Sequence, residues 1–281
     1  MAYECFDVSI NKNIAHIVLS RPEALNTITP AFWRELPEIV RDIDENARAR
    51  VIVISAQGRH FSAGLDLSAF GGLSSDAADQ EKAEQSRTRG QFFRHVLELQ
   101  KTFSCLEAAR APVLMAAHGA CIGGAVDFAS ACDMRYSTQD AFFCIQEINI
   151  ALTADVGTFP RFPRLVPEGL ARELAYTGRR LYAEEAKALG FINEVFADHD
   201  AMIAKVMELA REIAARSPMA IWGTKEILNY GRDHTIEEGL RHVALWQSGM
   251  MPNRDIGEAV TAKAEKRDPT FSDLLADRKA G

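Results

Sequence analysis

The chain has 281 residues, 47% of them hydrophobic and 25% charged, which is the balance of a globular protein and excludes disordered and fibrous classes. That length allows one large domain or a domain with an appendage; the second is favoured. A formal net charge of −7 argues against the broad basic footprint of a nucleic-acid binder.

The amino terminus MAYECFDVSI lacks a basic region followed by an apolar stretch, and nowhere does an apolar run approach the roughly 18 residues of a membrane span. Two strand-like runs, Cys5 to Ile10 and Ile14 to Ser20, flank the turn-prone Asn11-Lys12-Asn13 and predict an antiparallel opening. Thr29-Pro30 reads as an N-cap followed by proline at the first helical position, and Phe32, Leu36, Ile39, Val40 and Ile43 continue a helical stripe. Pro37 should kink that helix or delay its start. Val51 to Ser55 is a continuous apolar run expected of a strand buried on both faces.

A loop follows over Ala56 to Phe70. Gly71 to Gly90, rich in small and polar residues, predicts a mobile segment or a loosely held helix. Phe92, Val96, Leu99, Phe103 and Leu106 recur at helical spacing and are expected in the core. Pro112 to Ala117 reads as a second buried strand, Gly119 to Gly124 as a glycine-rich turn, and Ala125 to Cys132 as a helix. A strand pair is expected at Met134 to Ser137 and Ala141 to Ile145. From Glu168 onward the pattern is mainly helical, interrupted at Ile192 to Val195, with a boundary between Arg179 and Asp200. The division is thus a domain of residues 1–195 and a carboxyl-terminal helical region of residues 196–281. The helices of that region, Asp200 to Arg216, Pro218 to Tyr230, Thr235 to Met250 and Asn253 to Arg267, are too thin to bury both faces unaided and call for neighbouring subunits.

Five cysteines form no C-x-x-C pair, which suits a reducing compartment, and the terminal DRKAG lacks a peroxisomal S-K-L address. A cytoplasmic location is the expectation.

The chemistry concentrates in two glycine-containing turns. Phe61-Ser62-Ala63-Gly64-Leu65-Asp66-Leu67 and His118-Gly119-Ala120-Cys121-Ile122-Gly123-Gly124 each follow a strand and can leave backbone N–H groups unpaired, where negative charge is favoured. Converging, they would form an oxyanion hole; taken singly, each is most often explained as a tight strand-to-helix connection with no ligand. Neither matches a dinucleotide or phosphate-loop fingerprint. Asp127, Glu147 and Asp155 lie in largely apolar surroundings, where desolvation raises a carboxyl toward useful acid–base chemistry. Structural acids that cap helices or meet an arginine are the alternative, and Asp133 beside Arg135 fits that description. The seven histidines are scattered without a metal-binding pattern, so no metal is expected. His118 reads as structural, and Ser62 and Cys121 lack the setting of a nucleophile.

From Ile14 through Lys266 the chain resembles the crotonase, or enoyl-CoA hydratase/isomerase, superfamily. The resemblance rests on Arg21-Pro22-Glu23-Ala24-Leu25-Asn26, Phe61 to Leu67, Gly119 to Asp133 and Phe142 to Arg164. It implies an α/β fold with a ββα spiral core and a carboxyl-terminal helical trimerisation region, giving trimers or dimers of trimers. It further implies oxyanion N–H donors at Leu65 and Gly124, and an acyl-CoA cradled by backbone around Ser62, Ala63, Gly64, Leu65, Asp66, Gly123 and Gly124, with no separate cofactor, nucleic acid or membrane. Hydratases of the family carry glutamate at both positions occupied here by Asp127 and Glu147, and lack an acid at Asp155. The three-acid set looks most like the family members that isomerise 3,5-dienoyl-CoA to 2,4-dienoyl-CoA. An enoyl-CoA hydratase and a non-catalytic crotonase-fold binding protein are the rivals.

Overall fold

The computed structural model describes residues 3–66, 82–251 and 253–277. Strands β1 (Phe6–Asn11) and β2 (Ile14–Leu19) form the antiparallel opening, followed by helix α1 (Pro30–Glu45) and strand β3 (Val51–Ala56). Helix α2 (Lys82–Ala108) leads to β4 (Val113–Ala117), β5 (Ala120–Ile122) and α3 (Gly124–Ala131). Next come β6 (Met134–Thr138), β7 (Phe142–Cys144), the short α4 (Thr158–Arg161) and α5 (Glu168–Thr177). Strand β8 (Leu181–Tyr182), α6 (Ala183–Ala188) and β9 (Glu194–Phe196) precede the closing helices α7 (His199–Ala214), α8 (Pro218–Gly231), α9 (Ile236–Met250) and α10 (Arg254–Glu265).

A six-stranded sheet runs in the order β1-β2-β3-β4-β6-β9, parallel from β2 onward, and a three-stranded sheet runs β5-β7-β8. Every residue of β3 and β4 is buried. Alternation divides their side chains: Ile52, Ile54, Val113 and Met115 enter the main core with the α1 stripe, while Val51, Val53, Leu114 and Ala116 meet Met202, Val206, Ala210 and Ala214 of α7. Helix α7 falls within the region expected to be an appendage, yet it closes the second face of this sheet. The helices beyond it, α8 and α9, pack on each other.

Local chemistry explains the element ends. Thr29 Oγ1 accepts the Phe32 N–H at 3.4 Å and α1 starts at Pro30 without delay. The helix continues through Pro37, whose missing N–H frees the Trp33 carbonyl; Thr102 Oγ1 of α2 donates to that carbonyl at 3.2 Å. Phe6, Phe32, Phe61, Phe103 and Phe128 pack as one aromatic cluster, tying α1, α2 and α3 to the first glycine turn.

Several expectations are corrected. The α2 stripe enters the core only from Leu99 onward, and Phe92 is 59% exposed: periodicity identifies an apolar face without saying what covers it. The turn Gly119 to Gly124 contains strand β5, and the expected pair β6 and β7 lies in two different sheets. Asp133 meets Lys225 at 2.8 Å rather than Arg135, whose guanidinium donates to the Phe191 and Cys132 carbonyls. Of the stretch Gly71 to Gly90, residues 71–81 lie outside the described residues and the remainder is the start of α2.

Candidate active site

The two glycine turns are joined by backbone. Ser62 N–H donates to the Ala120 carbonyl at 3.0 Å and Ile122 N–H to the Ser62 carbonyl at 3.1 Å, making the first turn a neighbour of β5. Gly64 has φ +84°, and a Cβ there would stand 2.5 Å from the Ile122 carbonyl oxygen, so only glycine permits this approach. The Arg21-to-Asn26 segment buttresses the same turn. Buried Asn26 donates to the Gln57 and His60 carbonyls at 2.9 and 3.0 Å, its own carbonyl accepts the Ser62 hydroxyl, and the Leu25 carbonyl accepts the Ala63 N–H.

Among the described residues, the N–H groups of Leu65 and Gly124 donate to no acceptor. They sit in one neighbourhood: Ile28 pairs with the Leu65 segment, and its Cδ1 lies 2.9 Å from where a Cβ on Gly124 would be. Gly124 is also the first residue of α3, where the helix dipole adds to the attraction for negative charge. Ser62 is 1% exposed with its backbone groups engaged, whereas Ala63, Leu65 and Asp66 are half-buried.

The three carboxylates gather beside these donors. Glu147, at the start of a 3-10 turn, puts Oε1 3.3 Å from the Cβ position of Gly123. Asp127 lies one helical turn beyond Gly124, fully buried, with Oδ1 accepting the Thr158 N–H at 2.5 Å and Oδ2 without a partner among the described residues. Burial pushes Asp127 up to about 7, with the Glu147 charge next and that of Asp155 further down, against an opposing pull from Thr158. Burial also raises Glu147, and the Asp155 charge adds to it. Asp155 is exposed in the isolated chain, less enclosed than its apolar sequence context suggests, although the surrounding protein still raises its carboxyl.

The side chains of Ser62, Cys121 and His118 make local contacts. The Ser62 hydroxyl donates to the Asn26 carbonyl and accepts the Gly64 N–H, and the buried Cys121 thiol, pushed well up by burial, faces the Ala125 carbonyl. His118 Nε2 lies 2.8 Å from the Gly58 carbonyl. Among the described residues no group of His, Cys, Asp and Glu side chains could hold a metal, and no helix is long and apolar enough to cross a membrane.

The family model for enoyl-CoA hydratase/isomerase matches residues 9–274. The chain belongs to that family. Among its relatives in the family, the mitochondrial Delta(3,5)-Delta(2,4)-dienoyl-CoA isomerase of Mus musculus is 40% identical over 97% of this chain and 84% of its own length. The peroxisomal protein of the same name from Arabidopsis thaliana is 38% identical over 94% of each chain. The crystal structure of an enoyl-CoA hydratase from Bacillus anthracis superposes with a TM-score of 0.84 at 30% identity, covering 95% of this chain and 99% of that one. The crotonase-type α/β fold expected from the sequence is therefore present, with its carboxyl-terminal helices. Gln100, Glu107 and Arg161, which surround the Asp155 loop, were not among the sequence candidates: the first two flank an α2 stripe read only as core, and no helix was expected over Thr158–Arg161.

Proposed function

We propose that this family member isomerises 3,5-dienoyl-CoA to 2,4-dienoyl-CoA, within the oxidation of unsaturated fatty acids. The observation that carries the reading is the gathering of three carboxylates, one more than hydration requires, around Gly123-Gly124 and the paired turns; the names of the relatives above support it.

In the mechanism, Glu147 removes a proton from C2. The electron pair moves into a C2–C3 double bond, the diene shifts by one position, and C6 takes a proton from Asp155. Negative charge on the thioester oxygen is met by the N–H groups of Leu65 and Gly124. Two carbons several bonds apart exchange protons, which two separate carboxylates serve better than one. Asp127 positions the Asp155 loop through Thr158, and the charges of Glu147 and Asp155 help to raise its own carboxyl. The CoA moiety runs along Ala63, Gly64, Leu65 and Asp66, with Ser62 beneath them, and over Gly123 and Gly124. No cofactor or metal takes part, and neither nucleic acid nor membrane is a partner.

The exposed apolar side chains Leu228, Ile236, Leu240 and Leu245 on α8 and α9 support a helical region that packs between subunits in a trimer or a dimer of trimers. Five free cysteines suit the reducing cytoplasm.

The test follows 3,5-octadienoyl-CoA to the conjugated diene by ultraviolet absorbance, for the wild type and Asp155→Asn, beside a 2-enoyl-CoA hydration assay. Diene formation that collapses in the variant is expected. Strong hydration indifferent to Asp155, with no diene formed, would move the protein to the hydratases.

A further inference from the structure

The loop that carries Asp155 is held from three directions. Gln100 of α2 donates its side-chain amide to the Asp155 carbonyl at 2.7 Å, and Asp127 of α3 accepts the Thr158 N–H. Between them stands Gly157, at φ +138°, where a Cβ would lie 1.9 Å from Nη1 of Arg161. The guanidinium therefore occupies the space that any other side chain at 157 would need.

Arg161 is itself fixed. Its Nε donates to Glu107 at 2.7 Å and its Nη2 to the Ser104 hydroxyl at 2.9 Å, both on α2. Glu107 is tied in turn by Arg232, just past α8, at 2.7 Å, and its backbone carbonyl accepts Asn229. The Arg161 and Glu107 side chains are only 15% and 22% exposed. These residues and Asp155 line one cleft of about 730 Å³.

We propose that Arg161 is the positioning residue for the third carboxylate: clamped by Glu107 and Ser104, it fixes Gly157 and with it the backbone that aims Asp155 at the distal carbon of the diene. The inference rests on the isomerase reading above. Glu107 is shared between the Arg161 and Arg232 guanidiniums, and Arg161 directs its Nε and Nη2 donors to Glu107 and Ser104. Burial raises Asp155 unopposed by any neighbouring cation, as a proton donor needs.

The clamp makes a prediction that mere structural support does not. Deprotonation at C2 belongs to Glu147, on a different element, and should survive loosening of the Asp155 loop. The experiment uses Arg161→Gln and Glu107→Gln in the full chain with 3,5-octadienoyl-CoA in deuterium oxide, measuring kcat and KM for diene formation and deuterium entry at C2 of recovered substrate. In Arg161→Gln, Glu107 keeps Arg232 as its partner, so no buried charge is orphaned and the fold is retained. A displacement near 1 Å is enough to lower kcat about 100-fold, with KM and C2 exchange held at wild-type values in both variants. Unchanged kcat, a rise in KM alone, or a parallel fall in C2 exchange overturns the positioning role. A wild-type protein that forms no conjugated diene overturns the isomerase reading instead, and the inference with it.

Discussion

Asp127→Asn should make the protein more stable at neutral pH while impairing it as a catalyst. Asp127 is fully buried, and one of its carboxylate oxygens has no partner among the described residues. Its carboxyl is raised from 3.8 to about 7, chiefly by burial. A raised acid binds its proton more tightly in the folded state, so its penalty is absent below its ordinary pKa and grows as pH climbs to the folded value. At 1.36 kcal/mol per factor of ten in proton affinity, the rise amounts to about 4 kcal/mol by pH 8. Asparagine keeps an oxygen acceptor for the Thr158 N–H and carries no charge. The gain of the variant over wild type should thus be near zero at pH 4, develop between pH 4 and 7, and level off above. Urea unfolding at fixed protein concentration, at pH 4.5 and pH 8, measures it. A difference between variant and wild type that stays constant across that range, or destabilisation at pH 8, would refute the placement of a strained, buried carboxylate at this position.

Two further outcomes follow from packing. Lys225→Met should cost about 3–5 kcal/mol, because Lys225 Nζ donates to the Leu106 and Ala111 carbonyls and pairs with Asp133, all in a buried setting; urea titration reads the loss, and adding Asp133→Asn should restore part of it. Gly64→Ala should lower kcat for diene formation and cost about 1–3 kcal/mol of stability, since its backbone is left-handed and the new methyl would meet the Ile122 carbonyl; wild-type kcat in that variant would refute the close junction of the two turns.

Elements whose identity is local were legible in the sequence. The Val51 and Pro112 runs read as buried strands because both faces are covered, and the Thr29-Pro30 cap marked the true start of α1. Strand β5 was not legible: three residues become a strand only through distant partners, Ser62 on one side and Phe142 to Cys144 on the other. The same reason hid the Lys225 partner of Asp133, and the covering of the sheet by α7, whose apolar stripe looks like that of any surface helix. At the site, the two turns and the three acids each had a local signature, but composition and spacing left their convergence open and only the family resemblance argued for it. Arg161 had no signature at all, since its role arises from Gly157 and α2 folding against it.

The two N–H groups left over at the paired turns belong to the main chain, and this has a consequence for how such a protein changes over time. A donor made of backbone has no codon of its own. Replacing the side chain of Leu65 removes neither the hydrogen nor its direction, and a peptide N–H does not titrate over the range in which the carboxylates do. Alanine at Leu65 would therefore leave this donor in place, whereas alanine at Gly64 or Gly124 reaches the N–H groups only through the backbone it displaces.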